Sequence, residues 1–248
     1  MKIAMAQTRP VKGDIGVNTR RHKTFIEQAA GHGAEAIIFP ELSITGYEPG
    51  LAKYLATTPD DSGFDVFDEL SERYKIDIGL GVPLQSEEGI NISMIIFSGG
   101  KKREVYSKQY LHQDEEPFFV AGKNEWLSFE SDNKVSLAIC YELSVEEHAE
   151  GALKRGSGIY IASVAKTLAG VAKAAVQLSG MADRNSMVVM MSNCVGYCDD
   201  FECAGGSAAW GRRGELIGQL GSEHEGILVV DTVREELIAC ISEVLHGG

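Results

Sequence analysis

A chain of 248 residues with 44% hydrophobic content can bury a large core, as one domain or two fused halves. Its formal net charge of −13 argues against a nucleic-acid partner, because the summed field repels phosphates. No apolar run approaches the roughly 20 residues that span a bilayer.

The opening stretch Met1–Gln7 is broken by Thr8-Arg9-Pro10 too soon for a secretory leader. A soluble cytoplasmic protein is expected, with its five cysteines mostly free thiols. Lys2–Gln7 reads as a first strand. A turn at Gly13–Gly16 leads into an amphipathic helix over Asn18–Ala30, with Phe25, Ile26 and Ala29 inward. Glu35–Phe39 is a second strand, stopped by Pro40 and followed at once by Glu41. After the irregular Ser43–Gly50 come a helix at Gly63–Tyr74 and a strand at Asp77–Val82. Asn91–Phe97 and Lys102–Ser107 flank Ser98-Gly99-Gly100 as a hairpin.

A loop then carries Lys108 through Gly122, and Glu125–Glu130 and Val135–Cys140 read as strands. Ser144 followed by Glu147 has the form of a capping box opening a helix through Lys154. Gly158–Ser163 is a strand. Leu168–Arg184 is a long helix with Leu168, Val171, Ala175, Leu178 and Ala182 on one face. Met187–Met191 is a buried strand ending near Asn193, short strands surround the turns at Gly205-Gly206 and Gly211–Gly214, and Gly226–Val230 is a late strand. Thr232–Leu245 closes the chain as a helix. Alternating strands and helices with added hairpins predict an α/β fold with mixed sheets, a single domain over residues 1–248.

Glu41, Lys108 and Cys140 each follow a predicted strand directly, where open α/β sheets place their ligand crevice. A cysteine on a sharp turn from strand to helix exposes its sulfur, and the following N–H groups and helix dipole favour thiolate. A thiol can attack a carbonyl or nitrile carbon, a carboxylate can take its proton, and an ammonium can stabilise the oxyanion. Taken singly, each residue has a bland reading as a core thiol, an exposed carboxylate or a lysine at a strand end.

Three motifs in order resemble those of the nitrilase, or carbon-nitrogen hydrolase, superfamily: Pro40-Glu41-Leu-Ser-Ile-Thr-Gly46-Tyr47, Tyr106-Ser-Lys108-Gln-Tyr-Leu111 and Cys140-Tyr141-Glu142. The resemblance runs from Lys2 to about Asp231. It implies a four-layer α-β-β-α sandwich and thiol-dependent hydrolysis of non-peptide C–N bonds without a cofactor. In it Glu41 would be general base and then acid, Lys108 the oxyanion stabiliser, Cys140 the nucleophile and the Tyr141 N–H part of the oxyanion hole. A second site glutamate is implied within Glu115-Glu116-Pro-Phe-Phe-Val-Ala-Gly122; Glu115 fits best, and Glu116 is the competing register. Tyr47 would line the pocket or sit in an ordinary core. The chain departs from the pattern where many relatives carry arginine-phenylalanine-proline, having Leu143-Ser-Val-Glu-Glu147 instead.

Tyr141 stands where true nitrilases usually carry tryptophan, which leans towards the amidase branches. The expected substrate is a small-molecule amide. An N-carbamoyl compound, or acyl transfer to an acceptor other than water, would use the same residues. The resemblance also implies a homodimer or larger homo-oligomer. Cys194, Cys198 and Cys203 form C-x3-C-x4-C, which matches no common metal motif, so free thiols near the pocket rim are expected. The six histidines make no pair at ligand spacing, and His112 reads as an exposed loop residue.

Overall fold

The computed structural model describes residues 1–123 and 134–242, so the strand expected at Glu125–Glu130 lies outside the described residues. In the first half the elements are β1 (Lys2–Gln7), α1 (Ile15–Gly31), β2 (Ala36–Ile38), α2 (Ala52–Leu55), α3 (Asp65–Tyr74), β3 (Asp77–Gln85), β4 (Ile90–Phe97) and β5 (Glu104–Ser107). The second half begins with β6 (Val135–Ile139), α4 (Glu146–Lys154), β7 (Ile159–Ser163), α5 (Leu168–Asn185) and β8 (Val188–Ser192). It continues through β9 (Val195–Cys198), β10 (Phe201–Ala204), β11 (Ala208–Trp210), β12 (Leu216–Gln219), β13 (Gly226–Asp231) and β14 (Glu236–Ser242).

Two sheets form, with strand orders β14-β13-β1-β2-β3-β4-β5 and β12-β11-β8-β7-β6, beside a separate β9–β10 ribbon. Within each, three neighbouring strands run parallel, β1-β2-β3 and β6-β7-β8, and antiparallel strands extend the sheet. The inner faces meet through Ile3, Met5, Ile38 and Met94 on one side and Leu137, Ile139, Ile161 and Met190 on the other. On the outside of the first sheet, Phe25 and Ile26 of α1 and Phe67 and Leu70 of α3 cover Ile37, Ile78 and Leu80. Ala152 of α4 and Val171, Leu178 and Met181 of α5 cover Tyr160, Val189 and Met191 of the second sheet. The result is the α-β-β-α stack that the motifs implied. Because both faces of the central strands are covered, they read as unbroken apolar runs, and each such side chain contributes about 1.5–3 kcal/mol by leaving water.

Three expectations need correction. The closing helix is instead a strand: β14 pairs antiparallel with β13 from Asp231↔Glu236 to Gly226↔Ser242, after a turn in which Glu235 has φ +57°. Ala239 and Ile241 reach the outer core while Ile238 and Leu237 stay exposed, so the apolar run serves an edge strand. The Ser144–Glu147 capping box does not form, because α4 starts at Glu146 behind Val145, with no side-chain cap. On α5 the Thr167 hydroxyl accepts from the Gly170 N–H (3.2 Å), and Leu168, first in the helix, points to solvent at 71% exposure. Val171, Ala174, Leu178, Met181 and Ala182 form the inward face instead.

Two serines pin the sheets together where their parallel strands end. Ser163 Oγ donates to the Phe39 carbonyl (2.8 Å), and Ser192 Oγ donates to the Ala6 carbonyl (2.5 Å). The carboxyl ends of both parallel sets are thereby brought side by side, and the candidate residues converge there. No helix among the described residues is long and apolar enough to cross a membrane.

Candidate active site

Glu41 sits three residues past the end of β2, on a loop seated against β3. The Phe39 N–H donates to the Gly79 carbonyl (2.9 Å) and the Ile44 N–H to that of Gly81 (3.2 Å). A Cβ at Gly81 would lie 2.3 Å from the Pro40 carbonyl oxygen, so only glycine lets the loop approach this closely. Asn18 Nδ2 donates to the Ile44 carbonyl (3.0 Å), and His22 Nε2 meets Ser43 Oγ at 2.9 Å, fixing the loop from α1.

Lys108 continues the β5 pairing: its N–H donates to the Ile92 carbonyl (2.8 Å) and its carbonyl accepts from the Gly122 N–H (2.7 Å). Its Nζ donates to Glu41 Oε1 (2.8 Å) and to Glu115 Oε1 (2.6 Å), and all three side chains are buried. Glu115 Oε1 also accepts from the Tyr47 hydroxyl (3.0 Å), and Oε2 from the His112 N–H (2.8 Å). Of the two registers, therefore, the structure brings Glu115 into the cluster and leaves Glu116 exposed. Tyr47 belongs to the cluster through its hydroxyl, while His112 is exposed and pairs with Asp114.

Cys140 ends β6 at φ +44°, a left-handed conformation that costs a β-carbon residue about 1–3 kcal/mol. It opens a 3-10 turn, Cys140–Ser144, whose first N–H groups, that of Tyr141 included, have no acceptor within the turn. The turn is held from beneath by Glu142, which the sequence reading passed over. Its carboxylate accepts from the N–H groups of Ile139 (2.7 Å) and Gln109 (2.6 Å) and from the Tyr106 hydroxyl (2.8 Å). Tyr106 also meets His148 Nε2 (2.8 Å), and His148 Nδ1 meets the Tyr160 hydroxyl (2.8 Å). Burial, then the charge of Arg155, depresses the His148 pKa to about 3 and keeps the ring neutral. One carboxylate thus ties the cysteine turn to the residue after Lys108. The only hint in the sequence was a glutamate two places past a cysteine.

The electrostatics divide the labour. Burial raises the Glu41 pKa to about 7, helped by Glu115 and opposed by Lys108. Burial alone would lower the pKa of Lys108, but the fields of Glu41, Cys140 and Glu115 together overcome it and hold the ammonium charged. Burial, then the Glu41 charge, pushes the Cys140 thiol up to about 11, against the opposing pull of Lys166 and Lys108. The expectation of a dipole-favoured thiolate is therefore not met. The helix proper begins only at Glu146, and burial holds the resting sulfur as a thiol. Glu41 Oε2 is buried and has no hydrogen-bond partner among the described residues, leaving one carboxylate oxygen free for a proton.

A model of the carbon-nitrogen hydrolase family matches residues 2–241. The chain belongs to that family. Among similar members, a protein named hydrolase in agr operon from Staphylococcus aureus is 25% identical over 243 residues, covering 96% of this chain and 93% of its own. A glutamine-dependent NAD(+) synthetase of Thermotoga maritima is 24% identical, but this chain spans only 42% of its length. The NitN amidase of Nesterenkonia sp. AN1 shares the fold of this carbon-nitrogen hydrolase at a TM-score of 0.85, with 23% identity over 93% of this chain and 92% of that one. One structure of that amidase shows acrylamide added at its own active-site cysteine.

Proposed function

We propose that this carbon-nitrogen hydrolase cleaves a small-molecule amide to a carboxylic acid and ammonia through a thioester on Cys140. The reading is carried by one observation: a buried ammonium shared by two carboxylates beside a thiol, with one oxygen of the nearer carboxylate unpartnered. Glu41 takes the thiol proton as Cys140 Sγ bonds to the amide carbon. Lys108 spends two of its three N–H groups on Glu41 and Glu115 and has the third for the oxyanion, alongside the Tyr141 N–H. As the tetrahedral intermediate collapses, the C–N bond breaks and the proton on Glu41 passes to the departing nitrogen. Water then attacks the thioester with Glu41 again as base, releasing the acid and restoring the thiol.

The substrate class is tested with a panel of short amides, their matching nitriles and ureido acids, scored by ammonia release. Amides are expected to turn over fastest. A nitrile converted to acid faster than its matching amide would contradict the reading. Carbon dioxide released with the ammonia would point to a carbamoyl substrate, and hydroxamate formed in preference to acid when hydroxylamine is added would point to acyl transfer.

A second reading, that the amide also bears a carboxylate, is favoured by Lys166. It follows Ala165, whose carbonyl lies 3.9 Å from Cys140 Sγ, and its charge acts on that thiol. Its backbone is clamped by Asn193, and its ammonium makes no ion pair among the described residues. Lys166→Met should then raise KM for monoamides of dicarboxylic acids about tenfold or more while leaving neutral amides unchanged, as loss of one charged contact implies. Equal effects on both substrate types would reject this role.

The base assignment makes a prediction about pH. With its pKa raised to about 7, Glu41 holds a proton below neutrality and cannot accept one from Cys140. The ratio kcat/KM should therefore fall tenfold per pH unit below about pH 7, and the fall should persist in Glu142→Gln, which removes the other carboxylate titrating there. A profile flat down to pH 5 would exclude Glu41 as the base.

A further inference from the structure

The three cysteines expected at the pocket rim are buried in the core between the sheets, each about 1% exposed. In a regular strand Cys194 and Cys198 would stand far apart, four residues along one line. Gly196 between them has φ +86°, and this bend folds the chain so that their sulfurs lie 3.5 Å apart. Cys203 on β10 pairs across from Gly196 and brings its sulfur 3.0 Å from that of Cys198. All three sulfurs lie within 4.8 Å of one another. A Cβ at position 196 would meet Arg9 Nη1 at 2.7 Å, so the bend is made where only glycine fits.

We propose that Cys194, Cys198 and Cys203 form a three-thiolate site for a soft monovalent d10 cation, Cu+. With metal–sulfur bonds of about 2.3 Å, three sulfurs around one ion stand roughly 4.0 Å apart, so the observed 3.5 and 3.0 Å would open by about 0.5–1 Å as an ion enters. Soft thiolates favour Cu+, Zn2+ and iron–sulfur clusters, and of these structural Zn2+ and the clusters take four protein ligands, which leaves Cu+ for a set of three. Among the described residues no fourth cysteine, histidine or carboxylate joins the group, and its walls are apolar. Cys198 is the centre of the group: its sulfur meets that of Cys194 and accepts from the Cys203 thiol. Binding displaces the thiol protons, so affinity rises with pH.

The site adjoins the amide pocket without being part of it. Tyr47, which donates to Glu115, packs edge-on against Phe201 of β10 at 5.6 Å, and its backbone N–H points at the Cys198 sulfur. A bound ion would cross-link the ribbon that backs Tyr47.

The test titrates the anaerobic, reduced full chain with Cu+ buffered by bathocuproine disulfonate, reading both copper per chain and the near-ultraviolet thiolate-to-copper charge-transfer band. One Cu+ per chain is expected in the wild type and in Cys140→Ser, with affinity falling at least 100-fold in Cys198→Ser and in Cys203→Ser. Far-ultraviolet circular dichroism establishes that the variants are folded, and two separate variants guard against the loss of either one. Absence of copper from the wild type, undiminished binding in a folded Cys198→Ser, or loss of binding in Cys140→Ser would overturn the proposal. So would an intact mass short by two hydrogens under the same reducing conditions, which would show two of the thiols joined as a disulfide.

Discussion

Replacing Cys140 with alanine should lower amide hydrolysis by about 10⁴-fold or more while leaving the fold intact, in line with losses seen when a covalent nucleophile is removed. The thiol is small, and its polar contacts, to Glu41 and a weak 3.9 Å one to the Ala165 carbonyl, are few, so packing suffers little. The turn is held by the Glu142 carboxylate on the Ile139 and Gln109 N–H groups, and the substitution leaves these in place. Thermal unfolding should therefore shift by only a few degrees. Near-native turnover by Cys140→Ala, with loss of activity in Cys194→Ala instead, would move the nucleophile to another thiol.

Replacing Lys108 with methionine should damage both rate and stability, and the second effect should depend on pH. In the native chain its ammonium bridges two buried carboxylates at 2.8 and 2.6 Å. Removing it strands both, and breaking a buried ion pair costs about 3–5 kcal/mol when the remaining charge stays ionised. On the proposed mechanism catalysis also loses the group assigned to the oxyanion, worth about 10²- to 10³-fold.

The sign of the pH effect follows from Glu41. Its folded pKa already lies above the unfolded value, and Lys108 is what pulls it downward. Without Lys108 it rises further, and a carboxyl with a raised folded pKa favours the folded state at low pH. That stability is lost as pH climbs from the unfolded value through the folded one. Melting curves should thus place Lys108→Met nearer to the wild type at pH 5 than at pH 8. A deficit equal at both values, or larger at pH 5, would mean that the carboxylates do not depend on this ammonium.

The layers of the fold were largely legible because the buried strands advertise themselves. Runs such as Lys2–Gln7 and Val135–Ile139 are apolar on both faces, and α1 and α5 carry a helical period. The C-terminal segment misled for a physical reason. Leu237–Ile241 is a short continuous apolar run after a charged stretch, and periodicity alone does not separate strand from helix there. What decides it is β13, whose free edge takes seven more residues as a strand.

At the candidate site, the residues announced by strand ends, Glu41, Lys108 and Cys140, are the ones the structure brings together. Residues that act through long-range hydrogen bonds were not announced. Tyr106, His148 and Tyr160 lie far apart in sequence, and nothing local marks them as one buried network under the cysteine turn. The bend at Gly196 was equally silent, since a glycine between two cysteines does not state its φ, and so the thiols were placed at a rim they do not occupy.

The acyl-enzyme itself provides the most direct test of the proposed chemistry. Rapid acid quench of the chain during turnover of a short amide, followed by intact-mass and peptide-level mass spectrometry, reports where the acyl group resides. An adduct equal to the amide's mass less ammonia, on the peptide carrying Cys140 and absent from Cys140→Ala, is the expected result. An adduct on Cys194, Cys198 or Cys203, or steady turnover with no adduct even when Glu41→Gln slows its hydrolysis, would contradict it.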